Sequence, residues 1–211
     1  MDTIKSKYHE TLAATVIKNL EKRQMEGYYC PTVEDAEKLA FSFLKDGQTV
    51  SFGGSMTLED TGMLTALRHD PGITLLDRAQ AKTPEETKKI YHDALSSDFY
   101  FMSTNAITKD GELVNIDGNR VAALIYGPEH VIVMAGMNKV AANVDEALSR
   151  VHGTATPMNC KRLGKNTPCS ATGVCSDCLS PDCICNQVVI TRRSGIEGRI
   201  KVILIGEELG Y

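Results

Sequence analysis

The sequence predicts an α/β domain: a mostly parallel sheet with helices on both faces, a C-terminal hairpin and a cysteine-rich loop. Three observations lead there. Short apolar runs without alternation, at 98–102 and 131–135, suit strands buried on both faces of a parallel sheet. Segments of helical period lie between such runs. Small or polar residues follow the strands, as at Gly53-Gly54-Ser55 and Gly136-Met137-Asn138-Lys139. Ligands gather at those carboxyl ends in open α/β sheets.

The elements follow in order. From Thr3 to Glu26, the apolar residues Ile4, Tyr8, Leu12, Val16, Ile17 and Leu20 recur at helical spacing until Gly27 stops the run. A short strand at Tyr28–Cys30 follows, and Cys30 reads as a small buried side chain. Thr32 with Asp35 three residues on marks the start of a second helix, which Asp46-Gly47 ends. Then come a strand (Gln48–Phe52), a glycine turn and a helix running through Leu67. Ile73–Leu76 is a strand. Thr83-Pro84-Glu85-Glu86 opens a helix to about Leu95, with an N-cap and proline at the first position. Asp98–Met102 is a strand, and Asp110-Gly111 signals a turn between 106–108 and 113–116. A helix at Val121–Ile125, a strand at Val131–Ala135 and a helix from Asn143 to Val151 complete this region. Thr156-Pro157 reads as a break. Gln187–Arg193 and Arg199–Ile205 read as two strands of a hairpin.

Composition bounds the function. The 211 residues suit one domain, 1–211, with the cysteine-rich loop at 156–187 inside it, and 42% are hydrophobic. A net charge of −4 and the absence of tryptophan make no case for nucleic acid. No run approaches the roughly 20 apolar residues of a membrane span, and the first residues form no signal-like apolar stretch. A cytoplasmic location is expected, where thiols stay reduced.

Two regions carry candidate chemistry. The first is a pocket for a small anionic metabolite. Gly53, Gly54, Ser55 and Thr57 form a turn at a helix start, which presents backbone N–H groups. No lysine follows the glycines, so this is not a nucleotide phosphate loop. Asn105, Asp117, Asn119, Arg120 and Lys139 cluster at predicted strand ends, with Arg120 or Lys139 to bind the anion. Against that, Asp117 and Asn119 also suit a helix cap. Glu112 is the nearest glutamate for covalent chemistry and reads as exposed. The histidines scatter: His9, His69 and His92 read as exposed or at helix ends, and His152 as stabilising a helix C-terminus.

The second region is the cysteine loop. Five of seven cysteines fall between Cys169 and Cys185, and Cys160 lies just before them. They sit among turn-forming residues, and turns let thiolates approach one ion from several directions. Cys175-Ser-Asp-Cys178 is a CxxC pair, which Cys169 and Cys185 flank. An iron–sulfur cluster, structural zinc and disulfides or free thiols all remain open, because the spacing matches no common ferredoxin or zinc-ribbon run. From Thr156 to Lys201 seven basic residues (Lys161, Arg162, Lys165, Arg192, Arg193, Arg199, Lys201) face three acidic ones, so this segment is +4 and the remainder −8. Nearby cations would stabilise a thiolate cluster; a solvated basic face is the alternative.

Several blocks together resemble the lactate-utilisation (LUD-domain, YkgG-type) family: Phe52-Gly-Gly-Ser55, Ser103-Thr-Asn105-Ala-Ile-Thr, Asp110-Gly111, Asp117-Gly-Asn-Arg120, Asn138-Lys139, the cysteine block and the closing Gly206–Tyr211. The resemblance implies a fold similar to the NagB/RpiA/CoA-transferase superfamily. It also implies a role in oxidising L-lactate, or a similar 2-hydroxy acid, beside iron–sulfur or flavin subunits. Carried over by position, it implies that Cys169, Cys175, Cys178 and Cys185 hold a [4Fe-4S] cluster, or zinc as the alternative. Cys160 and Cys183 stand as extra ligand candidates. A metabolite-binding protein with a structural zinc (its ligand a CoA ester, nucleotide or carboxylate) and a scaffold subunit without its own site are the competing functions.

Overall fold

The computed structural model describes residues 3–118 and 121–211. Its helices are α1 (Thr3–Lys22), α2 (Val33–Ser42), α3 (Met56–Asp60), α4 (Met63–His69), α5 (Pro84–Ala94), α6 (Ala122–Ile125), α7 (Val144–Arg150), α8 (Thr156–Arg162) and α9 (Pro168–Thr172). Its strands are β1 (Glu26–Cys30), β2 (Thr49–Phe52), β3 (Thr74–Leu76), β4 (Phe99–Met102), β5 (Ala106–Thr108), β6 (Leu113–Asp117), β7 (His130–Gly136), β8 (Val140–Ala141), β9 (Gln187–Thr191) and β10 (Ile200–Ile205).

Six strands form the main sheet in the order β1-β10-β7-β4-β2-β3, with every pairing parallel. Alternate side chains along it feed two cores. Tyr100, Met102, Val131, Val133, Val202 and Leu204 pack on one face with Ala13, Val16 and Leu20 of α1. Phe99, Phe101, Ile132, Met134, Ile203 and Ile205 pack on the other with Ala36 and Ala40 of α2 and Leu64 and Leu67 of α4. The expected sheet covered by helices on both faces is therefore present.

Local signals placed several elements correctly. Thr32 accepts the Asp35 N–H at 3.2 Å, and Thr83 accepts the Glu86 N–H at 3.1 Å, so both predicted N-caps form. Asp110-Gly111 does turn β5 into antiparallel β6.

Other expectations require correction. The C-terminal strands are not a hairpin. Instead β9 joins a second, four-stranded sheet of order β8-β5-β6-β9, antiparallel to β6, while β10 sits between β1 and β7. Both neighbours of β10 are parallel strands, and all six of its residues are buried. The helix expected through Leu67 is interrupted at Gly62, whose left-handed φ of 71° separates α3 from α4. The first helix ends at Lys22 and leaves Ile4 and Tyr8 exposed, whereas His9 is buried and its Nδ1 meets the Gly206 carbonyl at 3.0 Å. Thr156-Pro157 is not a break either. A π turn at Val151–Ala155 carries α7 into α8, and its irregular hydrogen bonding accommodates the N–H that Pro157 lacks.

Two cations of the basic segment do structural work inside the fold. Lys201 pairs with Glu26 at 2.8 Å. Buried Arg199 donates to the carbonyls of Ala123, Leu124 and Pro128 at 2.7–2.9 Å, fastening the stretch before β7 to β10. Neither is available to a thiolate cluster. Replacing Arg199 with Met is expected to lower stability by roughly 2–5 kcal/mol, because three buried carbonyls lose a charged donor. Urea denaturation would show this as a lower midpoint at an unchanged slope.

Candidate functional site

In the main sheet β7, β4 and β2 are neighbours, so the segments leaving their carboxyl ends lie side by side. Gly53–Thr57 follows β2, Ser103–Asn105 follows β4 and Met137–Lys139 follows β7. They surround a cavity of about 180 Å³ whose other walls come from Asn115–Gly118, from Asn159 and Arg162 of α8, and from Tyr211. Pockets for drug-sized ligands run roughly 300–1,000 Å³, so this one suits a small metabolite.

Lys139 dominates the site. Its residue is 3% exposed, and Nζ donates to Thr57 Oγ1 at 2.7 Å, Ser103 Oγ at 3.0 Å and the Thr104 carbonyl at 3.3 Å. All three partners are neutral, and Lys139 belongs to none of the ion pairs found among the described residues. Burial drives its pKa down to about 7, the Arg150 cation pushes the same way, and Asp60 opposes weakly. Arg150 spends its own donors on two carbonyls, Asn105 at 2.6 Å and Asn138 at 3.1 Å.

A second, unused donor belongs to a residue of the cavity wall. Asn115 is buried, and its Oδ1 accepts the Asn105 N–H at 3.2 Å, which fixes the orientation of the amide. Asn105 returns the arrangement, its Oδ1 accepting the Ile116 N–H at 2.9 Å. The Asn115 Nδ2 then has no partner, an unusual state for a buried amide. The C-terminal segment closes the floor. Gly210 N–H donates to Asp60 at 2.8 Å, and Leu209 N–H to Asn138 Oδ1 at 3.1 Å.

Gly53, Gly54, Ser55, Thr57, Asn105, Asp117 and Lys139 all line this cavity, as the sequence led us to expect. Their roles differ. Ser55 Oγ caps α3 by accepting the Leu58 N–H. Asp117 accepts N–H groups from Gly118 and Val121, each at 2.7 Å, so the capping alternative describes it. Asn119 and Arg120 lie outside the described residues. Glu112 is not exposed but half-buried, salt-bridged to Arg23 at 2.7 Å. Ser103, Asn115 and Tyr211 are not among the candidate site residues the sequence names, although Ser103 and Tyr211 fall in the blocks that carry the family resemblance. Asn115 had a signal, a polar residue in the apolar strand Leu-Val-Asn-Ile-Asp.

The cysteine loop is less assembled. All seven thiols are free. Cys30 is buried, its thiol pushed up to about 11 by burial. Cys169 Sγ lies 3.3 Å from Thr167 Oγ1, Cys175 Sγ 3.4 Å from His152 Nδ1, and Cys185 Sγ 3.9 Å from Thr156 Oγ1. Buried Cys160 is pushed up to about 11 by burial, and its thiol meets Cys169. His152 thus faces a cysteine from within the π turn and does not terminate a helix. Among the described residues no three His, Cys, Asp or Glu side chains gather as a metal ion requires. The donors are right in kind for iron or zinc, but the loop would have to close to bring them together.

A parallel α/β sheet with a buried lysine at the carboxyl ends of its strands defines the general class. Residues 13–205 match the LUD domain, and the chain belongs to that family, which points to lactate utilisation in general. A DUF162-family protein from Deinococcus radiodurans shares the fold: the TM-score is 0.52 at 13% identity, over 93% of this chain and 98% of that one. A ribose 5-phosphate isomerase A from Methanocaldococcus jannaschii aligns with 52% of this chain and 54% of its own, at 15% identity and a TM-score of 0.34. No curated protein sequence matches the chain. No helix among the described residues is long and apolar enough to cross a membrane.

Gly210 shows how tightly the floor is fitted. Its φ is 58°, and a Cβ there would come within 2.6 Å of Thr57 Oγ1, the partner of Lys139. Gly210→Ala is expected to destabilise the protein by about 1–3 kcal/mol through backbone strain and this contact. A thermal melt beside the parent protein would measure the loss.

Proposed function

We propose that this chain binds the small carboxylate substrate of a system that oxidises L-lactate or a similar 2-hydroxy acid, with iron–sulfur or flavin partner subunits accepting the two electrons. One observation carries the reading: a buried lysine ammonium reaches a small cavity with hydrogen bonds to neutral oxygens only. A buried charge without a counter-charge is costly, and an anion in the cavity would supply one. The unused Asn115 amide supports the reading by offering such an anion a hydrogen bond. Membership of the LUD domain family favours a lactate-like acid over a CoA ester or nucleotide, and so does the volume of about 180 Å³.

The sign of the pH dependence follows from Lys139. Its pKa in the empty site is about 7, so the ammonium is present below that pH and lost above it. Carboxylate binding favours the charged form. Affinity for L-lactate or pyruvate should therefore hold below pH 7 and fall by up to about tenfold per unit above it. Calorimetry on the parent and Lys139→Met across pH 6–9 checks this. The variant should bind weakly and show no such slope, and a pH-independent affinity in the parent would remove Lys139 from the binding account.

A second reading concerns the loop and adds to the first. We propose that Cys169, Cys175, Cys178 and Cys185 take up a [4Fe-4S] cluster, or zinc, with Cys160 and Cys183 as further candidates. Backbone N–H groups directed at sulfur favour it. The Cys185 N–H donates to Cys183 Sγ at 3.4 Å, and a backbone hydrogen bond from Ser180 holds the Cys178 thiol below its ordinary pKa. Such bonds stabilise thiolates, the form that ligates metal, whereas burial pushes the Cys185 thiol up to about 12, a rise that a bound metal cation would have to overcome. Elemental analysis of protein purified without oxygen should find iron with acid-labile sulfide, or zinc, at a stoichiometry that falls in Cys175→Ser/Cys178→Ser. Protein free of both metals would refute this second reading and leave the pocket untouched.

A further inference from the structure

We propose that Lys139 is a nucleophile: its amine condenses with the carbonyl carbon of a small 2-oxo acid to form an imine inside the cavity. The inference deepens the pocket reading and rests on it, because the acid must first occupy the site. The geometry supplies three supports. Nζ is enclosed and engages no carboxylate, so the side chain is not consumed in the ion pair that usually accompanies a buried lysine. Two hydroxyls, Thr57 Oγ1 at 2.7 Å and Ser103 Oγ at 3.0 Å, flank the nitrogen closely enough to move protons. The free Nδ2 of Asn115, on another wall of the same cavity, is a donor for the acid's carboxylate. Burial and the Arg150 cation also keep part of the amine neutral near pH 7, the condition a lysine needs in order to attack a carbonyl.

The step balances without a redox partner. The nitrogen lone pair attacks the carbonyl carbon, a C–N bond forms, and the carbonyl π electrons move onto oxygen. A proton from nitrogen passes through Ser103 or Thr57 to that oxygen. A second proton, the one the ammonium gave up to become the attacking amine, returns through the same hydroxyls to that oxygen; the carbon–oxygen bond then breaks, water leaves and an iminium remains. Its positive charge stays beside the acid's carboxylate, so the charge pairing of the occupied site is kept. A 2-hydroxy acid has no electrophilic carbonyl at that carbon. It fills the cavity and does not react.

The test is reductive trapping. The protein is incubated with pyruvate and sodium cyanoborohydride, which converts the imine to a stable secondary amine, and is read by intact mass and peptide mapping. We expect one adduct per chain, on the peptide carrying Lys139, with labelling greatest near pH 7 and suppressed by L-lactate as competitor. Lys139→Met should take no label, and Asn115→Ala, which retains the amine, should label at least about tenfold more slowly, the loss of one good hydrogen bond to a charged group. Circular dichroism on both variants separates loss of reaction from loss of fold. If pyruvate and L-lactate both bind by calorimetry and no adduct forms, or if Lys139→Met is labelled as the parent is, the imine is overturned and the pocket stands. If neither acid binds, both readings fall together.

Discussion

The candidate site is organised around one unfavourable placement: a lysine side chain enclosed where three parallel strands deliver their carboxyl ends. Each neighbouring element answers it with oxygen. The glycine turn after β2 brings Thr57, the end of β4 brings Ser103 and the Thr104 carbonyl, and Lys139 itself arrives from the end of β7. None of these oxygens carries charge. The arrangement solvates an amine without neutralising it, and so leaves its titration sensitive to whatever enters the cavity. A carboxylate at hydrogen-bond distance would have made a stable strut of the lysine and removed that sensitivity.

The apolar architecture exists on a different scale and is indifferent to this site. Ile132, Met134, Ile203 and Ile205 fill one layer and Val131, Val133, Val202 and Leu204 the other. These residues would build the same sheet around a methionine at position 139. Likeness of fold at 13% identity therefore says how the chain is arranged, and the chemistry has to be read from the few polar groups at the sheet's edge.

How far the sequence could be read follows from how local each signal was. Thr32 and Thr83 announced helix starts because a cap is decided within four residues. The glycine turn, Asn105 and Lys139 were legible because small and polar residues followed apolar strands. The separation of β9 and β10 into different sheets was not legible, since strands adjacent in sequence suggest a hairpin, while the parallel partners of β10 are the distant β1 and β7. Pro157 read as a break because nothing in its surroundings announces a π turn. The role of Asn115 is hidden in the sequence because it depends on Asn105, ten positions away, whose N–H occupies its carbonyl oxygen and leaves the amide nitrogen unused. The cysteine loop is the reverse case. Its pattern was plain in the sequence, while its side chains form no metal-sized cluster among the described residues: Cys160 meets Cys169, Cys183 meets Cys178 and Cys185, and Cys175 turns toward His152.

The manner in which the chain finishes has a practical side. Leu209 and Gly210 are stitched to Asn138 and Asp60, and Tyr211 forms part of the cavity wall. Purification handles fused after Tyr211 would start from a wall of the binding chamber and disturb it. Recombinant work on this protein is better served by a handle on the opposite terminus, where the first turn of α1 is solvent-exposed.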